Sequence, residues 1–208
     1  SNISDLTGIE GFVNLNTLFA NDNQLTNLDL SNNINLTMVF LTNNQLNQLN
    51  VSTLVNLTRL ECNYNNLTSI DLSNNILLEQ LRIKNNNLNT LNLSNNPNLF
   101  ALTLSYNFLT YLDLRNGNNT SINPDLRNNF FLYCINVDDT LYSTNNWSYR
   151  ESHHYFSTNC PTTSIQEYPT SKELLKVTDL LGREAKETNQ PLFYIYDDGT
   201  VEKRIVIE

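Results

Sequence analysis

The chain has 208 residues, with 12 Lys and Arg against 21 Asp and Glu and a net charge of −9. No basic stripe is visible to meet phosphates, which disfavours a nucleic-acid partner, and no apolar run approaches the ~20 residues of a membrane-spanning helix. Charged residues make up only 16% of the chain, and 39 asparagines stand beside 35 leucines, a bias that points to a repeated unit.

The chain opens at Ser1 without a charged start followed by an apolar stretch, so the expectation is a removed leader and a longer precursor. Ile3-Ser-Asp-Leu-Thr-Gly-Ile-Glu10 has the form of a lead-in segment that follows another strand.

From there a 21-residue step runs without insertion. Leu18 recurs as Val39, Leu60, Leu81 and Leu102, and Asn23 as Asn44, Asn65, Asn86 and Asn107. Leu25 recurs as Leu46, Leu67, Leu88 and Leu109, and Leu30 as Val51, Leu72, Leu93 and Leu114. Each copy also echoes itself: Leu15, Leu18, Ala20 and Asn23 are followed by Leu25, Leu28, Leu30 and Asn33. The pattern predicts a mainly β solenoid of five coils over residues 1–117, with two short strands per coil. One coil cannot bury its own apolar side chains, so stability must come from stacking. The Asn23 column is expected to be structural, because asparagine tolerates the left-handed backbone of tight corners and its amide can bond the neighbouring coil.

The copy from Leu57 to Leu72 has the form L-x-x-L-x-L-x-x-N-x-L-x-x-L-D-L, with Cys62 at one leucine position. Over about residues 12–117 the chain resembles the bacterial leucine-rich repeats of 21 residues called IRREKO repeats. That resemblance implies ligand binding, of protein or glycan, on one face of the solenoid.

Comparison of the copies separates scaffold from surface. Outward positions of the second strand barely change: Ser31, Ser52, Ser73 and Ser94 form one column, and Asp29, Asn50, Asp71, Asn92 and Asp113 another. Outward positions of the first strand vary: Thr17, Met38, Arg59, Gln80, Ala101; then Phe19, Phe40, Glu61, Arg82, Thr103; then Asn21, Thr42, Asn63, Lys84, Ser105. Phe19, Met38 and Phe40 are expected to form an exposed apolar patch, beside Arg59, Glu61, Arg82, Lys84 and the flanking Tyr64 and Tyr106. These nine residues are the candidate ligand site. The alternative is that the missing entry segment covers Phe19 and Phe40.

Residues 118–160 break the period and turn aromatic, with Phe130, Phe131, Tyr133, Tyr142, Trp147, Tyr149, Tyr155 and Phe156, as expected of a C-terminal cap. Cys134 and Cys160 bracket the segment, and their simple pairing would place the protein outside the cytosol, with Cys62 a buried free thiol. The alternative is three free cysteines in a cytosolic protein. The stretch from Cys134 to Cys160 resembles the cap of secreted repeat proteins of the Bacteroidetes, and Asp139-Thr140-Leu141 resembles their short O-glycosylation motif.

Residues 161–170 read as a linker. In residues 171–208, strands are expected from Leu174, around Phe193–Tyr196 and from Val201, with a hairpin at Asp197-Asp198-Gly199. This tail resembles a short C-terminal sorting signal of type IX secretion, carried by Leu181, Gly182, Arg183, Asp198, Gly199 and Lys203. The resemblance implies outer-membrane translocation, a surface or extracellular location, and contact with the secretion machinery.

No catalytic set is visible and no cofactor or metal is implied. The two histidines, His153 and His154, adjoin only Glu151, short of a ligand set. Alternate aspartates of the Asp29 column would lie ~10 Å apart, near the limit for an inverting glycosidase, on a surface expected to have no cleft. The Thr26, Asn47, Thr68, Asn89, Thr110 column alternates, unlike an ice-binding threonine ladder. The sequence therefore points to a non-catalytic, cell-surface binding or adhesion module. The alternative is an accessory subunit of an outer-membrane complex that keeps its tail as a docking element.

Overall fold

The computed structural model describes residues 2–161, 174–178, 191–196 and 201–205. The chain divides into two units, residues 1–161 and 162–208.

The first unit is a solenoid. Its first sheet is parallel, in the order β1 (Thr17–Phe19), β2 (Met38–Phe40), β3 (Arg59–Glu61), β4 (Gln80–Arg82) and β6 (Ala101–Thr103), which follows β5 (Thr90–Asn92) in the chain. Leu18 pairs with Val39, Val39 with Leu60, Leu60 with Leu81 and Leu81 with Leu102. The register is the sequence period itself: every coil lays the same column of side chains over the last. Leu25, Leu46, Leu67, Leu88 and Leu109 are fully buried between the two sides of the tube.

The second side departs from the expectation of two strands per coil. Its parallel sheet comprises β5, β7 (Tyr111–Leu114), β8 (Cys134–Val137) and β9 (Tyr155–Ser157). In the first three copies this side forms no strand, although Leu28, Leu30, Leu49, Val51 and Leu72 are buried. Apolar burial recurs in every copy, but the ladder begins only at Thr90.

Two corners are held by asparagine amides. Asn65 accepts from the Leu46 N–H at 3.0 Å and donates to the Leu41 and Cys62 carbonyls at 2.9 and 3.2 Å. Asn44, Asn86 and Asn107 repeat these bonds. On the opposite corner, Asn75 donates to the Val51 and Leu54 carbonyls and Asn96 to those of Leu72 and Asn75. The left-handed residues precede the amide column: Asp22, Asn43, Tyr64, Asn85, Tyr106 and Asn128 have φ between 52° and 59°. The amide ladder and the left-handed backbone, expected of one column, are therefore divided between two neighbours.

The aromatic segment continues the same architecture with lengthened steps. Thr103 bridges Asp125, Leu112 pairs with Ile135, and Asn129, fully buried, extends the amide ladder to the carbonyls of Leu104 and Leu126. Helix α1 (Thr140–Asn146) is capped by Asp139, which accepts from the Tyr142 N–H at 2.8 Å. That cap supplies a structural reason for the Asp139-Thr140 pair. Trp147 is buried and meets Phe156 edge-on at 5.3 Å. Cys134 and Cys160 form the disulfide, with Cα atoms 5.7 Å apart, and Cys62 is a buried free thiol whose pKa is pushed far up by burial.

In the second unit β10 (Leu174–Thr178), β11 (Pro191–Tyr196) and β12 (Val201–Ile205) form an antiparallel sheet in that order. Ile195 pairs with Val201, as a hairpin between β11 and β12 requires. Lys203 lies on β12 opposite Phe193. Leu181, Gly182, Arg183, Asp198 and Gly199 fall outside the described residues.

Candidate functional site

The variable columns of the first sheet form one continuous surface. At its N-terminal end the rings of Phe19 and Phe40 stack in parallel, 4.6 Å apart and 6° from coplanar. The Arg59 guanidinium lies over Phe40, 5.0 Å from its centroid. The expectation that Phe40 is exposed is therefore corrected: it is 8% exposed, while Phe19 is 72% exposed. The cause is lateral stacking along the column, which encloses a side chain that points away from the core. Met38 beside it is half-buried. The lead-in segment bonds at Ile3 to Asn23 and Gln24 and leaves the Phe19 ring open.

Next along the surface, Glu61 accepts from Arg59 Nε at 2.9 Å and from Arg82 Nη1 at 3.2 Å. Then Lys84 Nζ sits between two rings, 5.7 Å from Tyr64 and 5.0 Å from Tyr106. The structure thus gathers the nine candidates into two adjoining groups, Phe19-Met38-Phe40-Arg59-Glu61-Arg82 and Tyr64-Lys84-Tyr106.

Tyr64 and Tyr106 stand at left-handed positions that other copies give to Asp or Asn. A side chain other than Gly, Asn or Asp costs ~1–2 kcal/mol there. Both rings are about half exposed, so no core packing offsets that cost. The Lys84 ammonium that each ring meets offsets part of it.

Three further residues extend the surface. Asp125 continues the Phe19 column, Arg127 the Lys84 column, and Tyr149 lies beyond Asp125. Arg127 bonds Asp125 at 2.8 and 3.1 Å, and its guanidinium covers Tyr149 at 5.1 Å. The step to these residues is 22 or more, so the 21-residue spacing does not find them; the Asp125-x-Arg127 pair, matching Thr103-x-Ser105, is the signal that could have. Residues 1–161 contain six Lys and Arg side chains, and four of them, Arg59, Arg82, Lys84 and Arg127, lie on this face, where they meet the carboxylates of Glu61 and Asp125, with Asp22 in the Tyr64 column and Glu151 bonded to the Asn128 N–H at its edge.

The second side is occupied by structural bonds. Asp29, Asn50, Asp71 and Asn92 accept from the backbone N–H two residues on, at 2.9–3.0 Å. The Ser31 and Ser73 backbone bonds hold the Asp29 and Asp71 carboxyls below the usual range. Either Asp or Asn provides this acceptor, which explains their alternation. A groove of about 480 Å³ does run over Asp29, Asn50 and Asp71, contrary to the expectation of a surface without a cleft. Asp113 is buried; burial would raise its carboxyl pKa, but bonds from Arg115 and Tyr111 overcome this and hold it low. His154 is buried with only Nε2 bonded, to the Asn129 carbonyl at 3.3 Å, and desolvation lowers its pKa to about 4.

No protein-family profile matches the chain, and no curated protein matches it by sequence. Solved structures do match. An internalin, InlF, of Listeria monocytogenes is 26% identical over 66% of this chain and 38% of that one, with a TM-score of 0.50. The functional domain of InlJ from Listeria monocytogenes, which includes a cysteine ladder, is 20% identical over 96% of this chain and 58% of that one, at TM-score 0.54. A leucine-rich-repeat protein of Leptospira interrogans is 22% identical over 74% of this chain and 46% of that one, at TM-score 0.52. The fold is a leucine-rich-repeat solenoid. The chain spans less than two thirds of the length of each of these proteins. No helix among the described residues is long and apolar enough to cross a membrane.

Proposed function

We propose that this chain is an exported, non-catalytic binding module of the cell surface that holds a protein or glycan partner on the first-sheet face. The observation that carries the reading is the contrast between columns. Scaffold columns repeat or exchange like for like, as Asp for Asn, whereas the first-sheet face varies in chemistry, concentrates four of six Lys and Arg side chains and holds two tyrosines in strained backbone. The disulfide and the internalin-like neighbours support export. The likeness of residues 171–208 to a type IX sorting signal supports routing through outer-membrane machinery in a member of the Bacteroidetes.

The test is capture of surface material from native cells on the immobilised full chain, in wild type and in Arg82→Glu/Lys84→Glu. Capture abolished by the double substitution, and retained by Thr68→Glu on the second side, supports the reading. Equal loss in both variants, or in neither, would overturn it.

A further inference from the structure

One corner column changes character along the solenoid. Gln24, Gln45, Asn66 and Asn87 are polar, and the same position then becomes Phe108 and Phe130. Phe131 is an added residue, because Leu132 rather than Phe131 takes the buried place of Leu109. An insertion that puts a second phenylalanine into solvent does nothing for the core. Phe108, Phe130 and Phe131 are 55%, 60% and 59% exposed.

These three rings, with the strained Tyr106, wall a cleft of about 470 Å³, within the size range of small-ligand sites. Its remaining lining is entirely asparagine, with Asn85 half-buried and Asn87 exposed toward solvent. No charged and no aliphatic side chain lines it.

That composition selects a ligand. Asn65, Asn86 and Asn107 use their amides in the coil ladder, so the amides presented to a ligand are those of Asn85, Asn87 and Asn128, each with two donors and an acceptor that match hydroxyl groups able both to give and to receive. The ring faces offer flat apolar surface to C–H groups. A charged ligand would find no countercharge in the lining itself, and an apolar peptide side chain would strip water from the amides without replacing it. A pyranose satisfies both, since its ring face is apolar and its rim carries hydroxyls. We propose that this cleft binds a short neutral oligosaccharide. The proposal rests on the binding-module reading and shares Tyr106 with the first-sheet face, but Phe108, Phe130, Phe131 and Asn87 belong to the cleft and not to that face, so variants at those positions let the two fail separately.

The experiment is an array of neutral and acidic oligosaccharides probed with the full chain, then calorimetric titration of the strongest binder. The variants are Phe108→Ser, Phe130→Ser and Asn87→Ala, with Arg82→Glu as the contrast and circular dichroism melts to verify folding. The proposal expects a neutral saccharide to bind, each cleft variant to weaken it by about tenfold or more, and Arg82→Glu to leave it within about twofold. It is overturned if no saccharide binds at millimolar concentration, or if Phe108→Ser and Phe130→Ser bind like wild type. It is equally overturned if only an acidic saccharide binds and Arg82→Glu abolishes that. This last result would place the glycan on the first-sheet face and leave the binding-module reading intact. Loss of a captured protein in Phe108→Ser, with no saccharide bound, would reassign the cleft to a protein partner.

Discussion

Replacing Asn65 with alanine isolates what the amide ladder contributes. The side chain is 7% exposed, and its oxygen is the partner of the buried Leu46 N–H, while its nitrogen serves the carbonyls of Leu41 and Cys62. The Leu41 carbonyl retains the Asn44 amide at 3.1 Å and the Cys62 carbonyl the Asn86 amide at 3.0 Å, so both acceptors lose one bond while only the Leu46 N–H is orphaned. An orphaned buried donor costs ~1–3 kcal/mol, and two lost carbonyl bonds add ~1 kcal/mol each. Asn65→Ala is therefore expected to destabilise by roughly 3–5 kcal/mol. The neighbouring Asn66→Ala, at an exposed position, should stay within ~0.5 kcal/mol. Urea unfolding followed by circular dichroism and by Trp147 fluorescence measures both, and agreement between the two probes would license a two-state free energy. A loss under ~1 kcal/mol for Asn65→Ala, or equal losses at the two positions, would refute the claim that the amides join the coils.

Three further outcomes follow from the same structure. Cys134→Ser/Cys160→Ser releases a cross-link across 26 residues and should cost about 3.5 kcal/mol by loop entropy, seen as an earlier Trp147 transition in urea; an unchanged midpoint would contradict it. Neutral His154 has a native pKa of about 4, below its unfolded value of ~6.5, so its contribution is complete above pH 6.5 and lost as pH falls toward 4. Stability should drop by on the order of 2 kcal/mol between pH 7 and 4.5, and His154→Gln should flatten that slope in the same assay. Tyr64→Asn relieves left-handed strain worth ~1 kcal/mol and forfeits a Lys84 contact worth ~0.5 kcal/mol, so it should raise stability by about 0.5 kcal/mol while weakening ligand binding. Lower stability with unchanged binding would assign Tyr64 to the scaffold.

The solenoid was legible because one column of leucines and one of asparagines repeat at a fixed step, and burial at that step admits few other solutions. The same regularity hid the C-terminal coils. Added residues such as Phe131 lengthen the step, so Asp125, Asn129 and Tyr149 continue columns that spacing alone does not extend to them. The variable face was legible as a set of residues but not in its packing. Whether Phe40 is open depends on where the Phe19 ring and the Arg59 guanidinium come to rest, a lateral contact that periodicity does not encode. Tyr64 and Tyr106 read as exposed aromatics; only the backbone shows that they occupy the left-handed corner.

The most direct test of the account is the partner's affinity for the first-sheet face, measured by surface plasmon resonance on whatever the wild-type chain captures from its own cells. Arg82→Glu, Lys84→Glu and Tyr64→Asn should each lower affinity by about tenfold or more, with Thr68→Glu and Thr110→Glu unchanged. Full affinity in all three face variants would contradict the assignment of binding to that face.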